Sequence, residues 1–132
     1  MTREIAIKTA AKWWTDKLRQ RAPHDNGDNS RSNQLTMMLA DMLTTPMSEK
    51  QLSRFQKELE EIIDQQLKER RVGLFCDYGP DQDLYDAAML AGININNFPC
   101  KTGMFIEKNG DVYTVSVSDG YAQPYERIKP CE

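Results

Sequence analysis

Asn109-Gly110 sits between two runs, 101–108 and 111–117, in which apolar residues recur at every second position. Both residues tolerate positive φ, and such a pair between alternating strands is the strongest short-range hairpin signal. A two-residue turn on this pair predicts Lys108 opposite Asp111, Ile106 opposite Tyr113, Met104 opposite Val115 and Thr102 opposite Val117. One side of the ribbon is then largely apolar. The other carries Lys101, Gly103, Glu107, Thr114 and Ser116, with Phe105 and Val112 as exceptions. A half-apolar ribbon must be covered on one face, so the rest of the chain has to supply the cover.

That cover is expected to be helical. Ile7, Ala11, Trp14 and Leu18 repeat at helical period, with Lys8, Lys12 and Arg19 on the wet side. Trp13 falls on a flank with Ala6, Ala10 and Lys17. The polar stretch "RAPHDNGDNSRS" ends this helix. A second helix is expected from near Ser32 to Leu43, with Leu35, Met38, Leu39 and Met42 on one face.

The third start is the clearest. Ser48 and Gln51 form a capping box, and Met47 and Leu52 occupy hydrophobic-staple positions. The helix continues through Phe55, Leu59, Ile62, Ile63 and Leu67, with Arg54–Glu58, Lys57–Glu61 and Asp64–Lys68 as i,i+4 pairs.

From Val72 the period changes to that of a strand, "VGLFCDY", with Val72, Leu74 and Cys76 on one face. A short helix follows, with Leu84, Ala87, Ala88 and Ala91 aligned and Gly92 fitted to its left-handed cap. "NINNFP" reads as a loop. The sum is an α+β fold in a single domain, 1–132. Three N-terminal helices pack on a small, mostly antiparallel three-stranded sheet, with one inserted short helix and a C-terminal Asn-Gly hairpin.

Composition narrows the function classes. The chain is 39% hydrophobic and 28% charged, which suits a folded domain rather than a disordered one. No apolar run approaches the roughly 20 residues of a membrane helix, and "MTREIAIKTAAKWW" is too charged for a secretory signal, so cytoplasmic residence is expected. The net charge of −3 lacks the basic excess of a nucleic-acid binder. Direct nucleic-acid binding is therefore not expected, whereas a protein partner or a small ligand is.

No catalytic constellation emerges. Cys76, Cys100 and Cys131 have no CxxC spacing, and Cys76 falls on the strand's core face, where a thiol is inert. The single histidine, His24, has no nucleophile placed beside it by the sequence. "DNGDNS" (25–30) invites a calcium reading, but counting from Asp25 puts Gly27 at the third ligand position, and counting from Asp28 puts Leu39 at the twelfth. It has no lysine for phosphate, and its acids repel one. A self-bonded turn at Asn26-Gly27 accounts for it. No cofactor and no resident metal are expected.

Asp81 fits the N-cap of the short helix, and Asp77 and Asp83 lie beside it. The candidate binding residues are Trp13, Asp25, Asn26, Asp28, Asp77, Tyr78, Asp81, Tyr121 and Tyr125. Aromatic side chains near a surface are common anchors of binding sites. Convergence of "DNGDNS", "DYGPD" and "GYAQPY" on one pocket would favour a small ligand, and their scatter a protein partner.

The order of these motifs resembles a family of small accessory proteins of phages, prophages and other mobile elements in gut-type Firmicutes. The resemblance rests on Trp13-Trp14, Asp25 to Ser30, Asp77 to Asp81, Ala91 to Pro99, Lys101 to Met104 and Gly120 to Glu126. The chain departs at Cys100, where the family pattern has tryptophan, and at Ala122, where it has glycine.

The resemblance implies an anti-defence protein, with anti-CRISPR activity first among the expectations. The expected action is non-enzymatic inhibition of a host defence protein, a Cas nuclease among the targets, by occupying a functional surface. The alternative is a sponge that sequesters a nucleotide immune signal, which aromatics beside Asn/Asp loops would suit. A third option is a metal-dependent enzyme using Asp77 or Asp28. The Met-rich second helix also suits a homodimer interface.

Overall fold

The computed structural model describes residues 1–21, 47–69, 71–77, 79–99, 101–119 and 124–130. The helix expected over 32–43 and the loop 25–30 lie outside the described residues. Helix α1 spans Arg3–Arg21, α2 Glu49–Leu67 and α3 Gln82–Ala91. Strands β1 (Val72–Cys76), β2 (Thr102–Asn109), β3 (Val112–Asp119) and β4 (Glu126–Arg127) form one antiparallel sheet in the order β1-β2-β3-β4. The α+β class is as expected, with a two-residue fourth strand added at the edge beside β3. Where the sequence reads as a loop, Ile95–Asn97 makes a short 3-10 turn whose Asn94 side chain accepts from the Asn96 N–H.

The hairpin differs from expectation in its register. Asn109 pairs with Val112, so the two loop residues are Gly110 and Asp111. Gly110 has φ +65° while Asp111 stays at negative φ, the pattern of a type II′ turn with glycine first. Ile106 therefore faces Val115, Met104 faces Val117 and Thr102 faces Asp119. Each partner shifts by two along β3, and because the side-chain period is two, the same side chains still face inward. The face assignment survives the slip.

Inward-facing Val72, Leu74, Cys76, Met104, Ile106, Tyr113, Val115 and Val117 are all buried. Helix α1 packs on β3 and β2, while α2 and α3 meet β1. The expected stripe of α1 is buried, and so are Ala6 and Ala10, which widens its core face onto the flank that holds Trp13. Between the helices, Trp14, Phe98 and Phe55 form an edge-to-face chain with centroids 6.4 and 5.8 Å apart. The indole N–H of Trp14 is buried without an acceptor among the described residues.

Helix ends follow their signals. Ser48 and Gln51 make both halves of the capping box at 2.9 and 3.1 Å. Gly92 caps α3 at φ +71°, and its carbonyl accepts from the Gln51 side chain at 2.9 Å, tying the end of α3 to the start of α2. Arg54 pairs with Glu58 as expected. Asp64 turns instead to Arg3 of α1, which also donates to the Asp64 carbonyl at 2.8 Å. Among the described residues, no helix is long and apolar enough to cross a membrane.

Candidate functional site

Helices α1, α2 and α3 cover one face of the sheet; among the described residues no helix lies on the other. Pairing aligns two cross-strand rows on this outer face. One row is Gly73, Phe105, Ser116 and Arg127; the next is Phe75, Gly103 and Ser118. Large rings thus alternate with small residues. A Cβ on Gly73 would lie 2.8 Å from Phe75 Cε2, and one on Gly103 would lie 2.5 Å from Tyr125 Oη and 3.0 Å from Phe75 Cδ1. The glycines let the rings rest directly on the backbone.

Phe75 and Phe105 meet edge-on at 5.1 Å between centroids, and Phe105 and Tyr125 are tilted at 5.1 Å. Phe75 is 40% exposed and Tyr125 46%, unlike any inward-facing residue of the sheet. Phe105, an apparent exception to the polar outer side, is the middle member of this cluster.

Beside the rings lies a cleft of ≈ 330 Å³, lined by Phe75, Asp77, Lys101, Gly103, Ser118 and Tyr125. Asp77 follows β1, its N–H donating to the Gly79 carbonyl and its carbonyl accepting from the Lys101 N–H, each at 3.2 Å. Lys101 adopts φ +57°, which costs a non-glycine residue roughly 1–2 kcal/mol and sets it beside Asp77 at the start of β2. Two loops far apart in the chain, at Asp77 and Tyr125, are thereby brought to one cleft.

Asp81 is committed elsewhere. Its carboxylate accepts from the Leu84 N–H at 3.1 Å, as the N-cap of α3, and from the Phe75 N–H at 2.8 Å. Its own N–H returns a bond to the Phe75 carbonyl at 2.9 Å. Asp81 thus closes the outer edge of β1 where another strand would otherwise dock, and holds Phe75 in place. Burial pushes its carboxyl above the ordinary aspartate value of 3.8, against the pull of backbone N–H donors, those of Phe75 and Leu84 foremost.

Trp13 lies in the helix layer, edge-on to Trp14 at 5.1 Å with the Lys17 ammonium 5.1 Å from its ring centroid, and does not share the cleft. Asp25, Asn26, Asp28, Tyr78 and Tyr121 lie outside the described residues. Sequence reasoning passed over Phe75, Phe105, Lys101 and Arg127. A usable signal was present: Gly-Leu-Phe at 73–75 and Gly-Met-Phe at 103–105 repeat one Gly-x-Phe pattern on two strands.

On the helix side, Glu58, Glu61, Asp64, Asp83 and Asp86 border a hollow of ≈ 480 Å³. Three of these acids already have partners: Glu58 in Arg54, Asp64 in Arg3 and Asp86 in the Gln82 side chain. Among the described residues, no three His, Cys, Asp or Glu side chains converge as metal ligands.

Fold and site together define a helix-backed antiparallel sheet with an aromatic surface on its open face. Comparison with protein-family models, with curated proteins and with solved structures finds no match to this chain.

Proposed function

We propose that the protein is a non-enzymatic binder that acts through the outer face of its sheet. In the mobile-element setting that its motifs resemble, the binding inhibits a bacterial defence protein by covering a functional surface, a Cas nuclease being the first candidate. The observation that carries this reading is the cluster of Phe75, Phe105 and Tyr125 on a face that no helix among the described residues covers. Exposed aromatic anchors of this kind supply much of the energy of protein interfaces.

Pull-down from host lysate followed by a nuclease assay tests it. Wild-type protein is expected to retain a defence protein and inhibit it, and Phe75→Ala with Tyr125→Ala to lose both effects while staying folded. Absence of any stable partner and of inhibition sinks the reading. A second reading, sequestration of a nucleotide immune signal, is supported by the meeting of Asp77, Lys101 and Tyr125 in one cleft.

A further inference from the structure

We propose that the cleft beside Phe75 and Tyr125 is a subsite for a nucleobase that carries a phosphate, either a nucleoside monophosphate or one such unit of a larger signal. The proposal rests on the outer sheet face being the recognition surface, and names the ligand class for the second reading above.

The stacking surface comes first. Phe75 and Tyr125 both reach over Gly103, where no side chain intervenes between ring and backbone. Two half-exposed rings on a sheet offer a base a flat apolar contact that water does not match. The cleft, at ≈ 330 Å³, lies at the small end of the roughly 300–1,000 Å³ of ligand pockets, which suits one nucleotide unit.

Charge then orients the ligand. Arg127 projects from the same face as Phe105 and Ser116, is exposed, and has no ion-pair partner among the described residues. It lies two residues beyond Tyr125, a step of about 7 Å along an extended chain, which is the scale separating a base from its phosphate. Lys101 adds positive charge along the cleft itself. The Asp77 carboxylate, also without a partner among the described residues, is an acceptor for ribose hydroxyls or an exocyclic amine and repels a phosphate. The phosphate is thereby directed to Arg127 and the sugar or amine edge to Asp77. The net charge of −3 provides no extended basic track, so the site takes a single unit rather than a polymer.

Titration of the full chain with AMP, adenosine and inorganic phosphate, followed by calorimetry and by backbone amide shifts, tests the assignment. AMP and adenosine are expected to bind and to shift the Gly73 and Gly103 amides. Tyr125→Ala should weaken both by about tenfold or more, the loss of one stacking contact, whereas Tyr125→Phe retains binding. Arg127→Ala should weaken AMP by about tenfold and leave adenosine nearly unchanged.

The amide-shift map on the wild-type protein needs no variant, so it stands even where Tyr125→Ala fails to fold. Silence with both AMP and adenosine overturns the proposal. So does a response to phosphate alone equal to that of AMP, or an Arg127→Ala loss equal for both ligands. A silent titration removes this subsite while the protein-binding reading is decided by the pull-down.

Discussion

The two faces of the sheet are built from the same strands and obey opposite rules. Ile106 and Phe105 are neighbours on β2, yet Ile106 is fully buried under the helices while Phe105 lies on the open side between two other rings. On the inner face, apolar residues meet apolar residues of α1, α2 and α3. On the outer face, large rings are set over glycine, with hydroxyls and charges around them. The inner arrangement removes area from water and stabilises the fold. The outer one keeps half-wet rings in place, which helps stability little and leaves a surface ready for a partner. The difference separates residues that hold the protein together from residues available for recognition.

The largest expected effect sets the two faces directly against each other. Ile106→Ala should destabilise by about 2–5 kcal/mol in urea unfolding, the range for a large buried aliphatic cut to alanine. Phe105→Ala should cost only about 1 kcal/mol, the scale of its ring–ring contacts. Equal losses would make the outer cluster a second core and break the comparison.

Asp81→Ala comes next. It removes an N-cap and leaves the Phe75 N–H without its acceptor, for an expected loss of about 1–3 kcal/mol. Hydrogen exchange at the Phe75 amide should accelerate more than at Leu74, whose backbone groups face β2. Uniform acceleration along β1 would mean that Asp81 serves the helix alone.

Gly103→Ala sharpens the comparison from the other side. Its new Cβ meets the far end of a flexible side chain, the Tyr125 hydroxyl, and Phe75. Stability should therefore change by no more than about 1 kcal/mol. The Tyr125 ring must move, so the near-ultraviolet circular dichroism and ligand or partner binding should change together. An unchanged aromatic spectrum would show that Tyr125 is not seated on Gly103.

The smallest effect is a slope against pH. Because burial raises the Asp81 carboxyl above 3.8, the folded state holds its proton more tightly than the unfolded chain does. The stability this group contributes is full below 3.8 and is lost as pH rises through its raised value. Asp81→Asn keeps an N-cap side chain without the titration. The stability difference between wild type and variant should thus fall across that window and be flat above it. A difference that rises with pH would reverse the assigned balance between burial and the backbone N–H donors.

Much of the fold was legible because its causes are local. Ser48 with Gln51, Asp81 and Gly92 act within a helical turn, and their signals correspond to the caps observed. The apolar period placed the buried faces of α1, α2, α3 and β1 correctly. Register was less legible, because glycine serves a type II′ turn at Gly110-Asp111 as readily as a type I′ turn at Asn109-Gly110. Of the candidate site residues, Asp81 was legible as a cap, but its second bond to Phe75 links two elements. Phe105 read as an exception because its neighbours lie elsewhere in the chain, Phe75 on β1 and Tyr125 just before β4.

What the sequence by itself determined, then, is which side chains enter the core and where the helices start and stop. Those outcomes depend on period and on contacts within a few residues. Only the tertiary structure decided that Asp77, Lys101 and Tyr125 share a cleft, and that Phe75 and Phe105 form a surface with it. Pairing of β1 with β2 and of β3 with β4 sets those neighbours side by side, and such pairing is a property of the assembled sheet that no local stretch of sequence encodes.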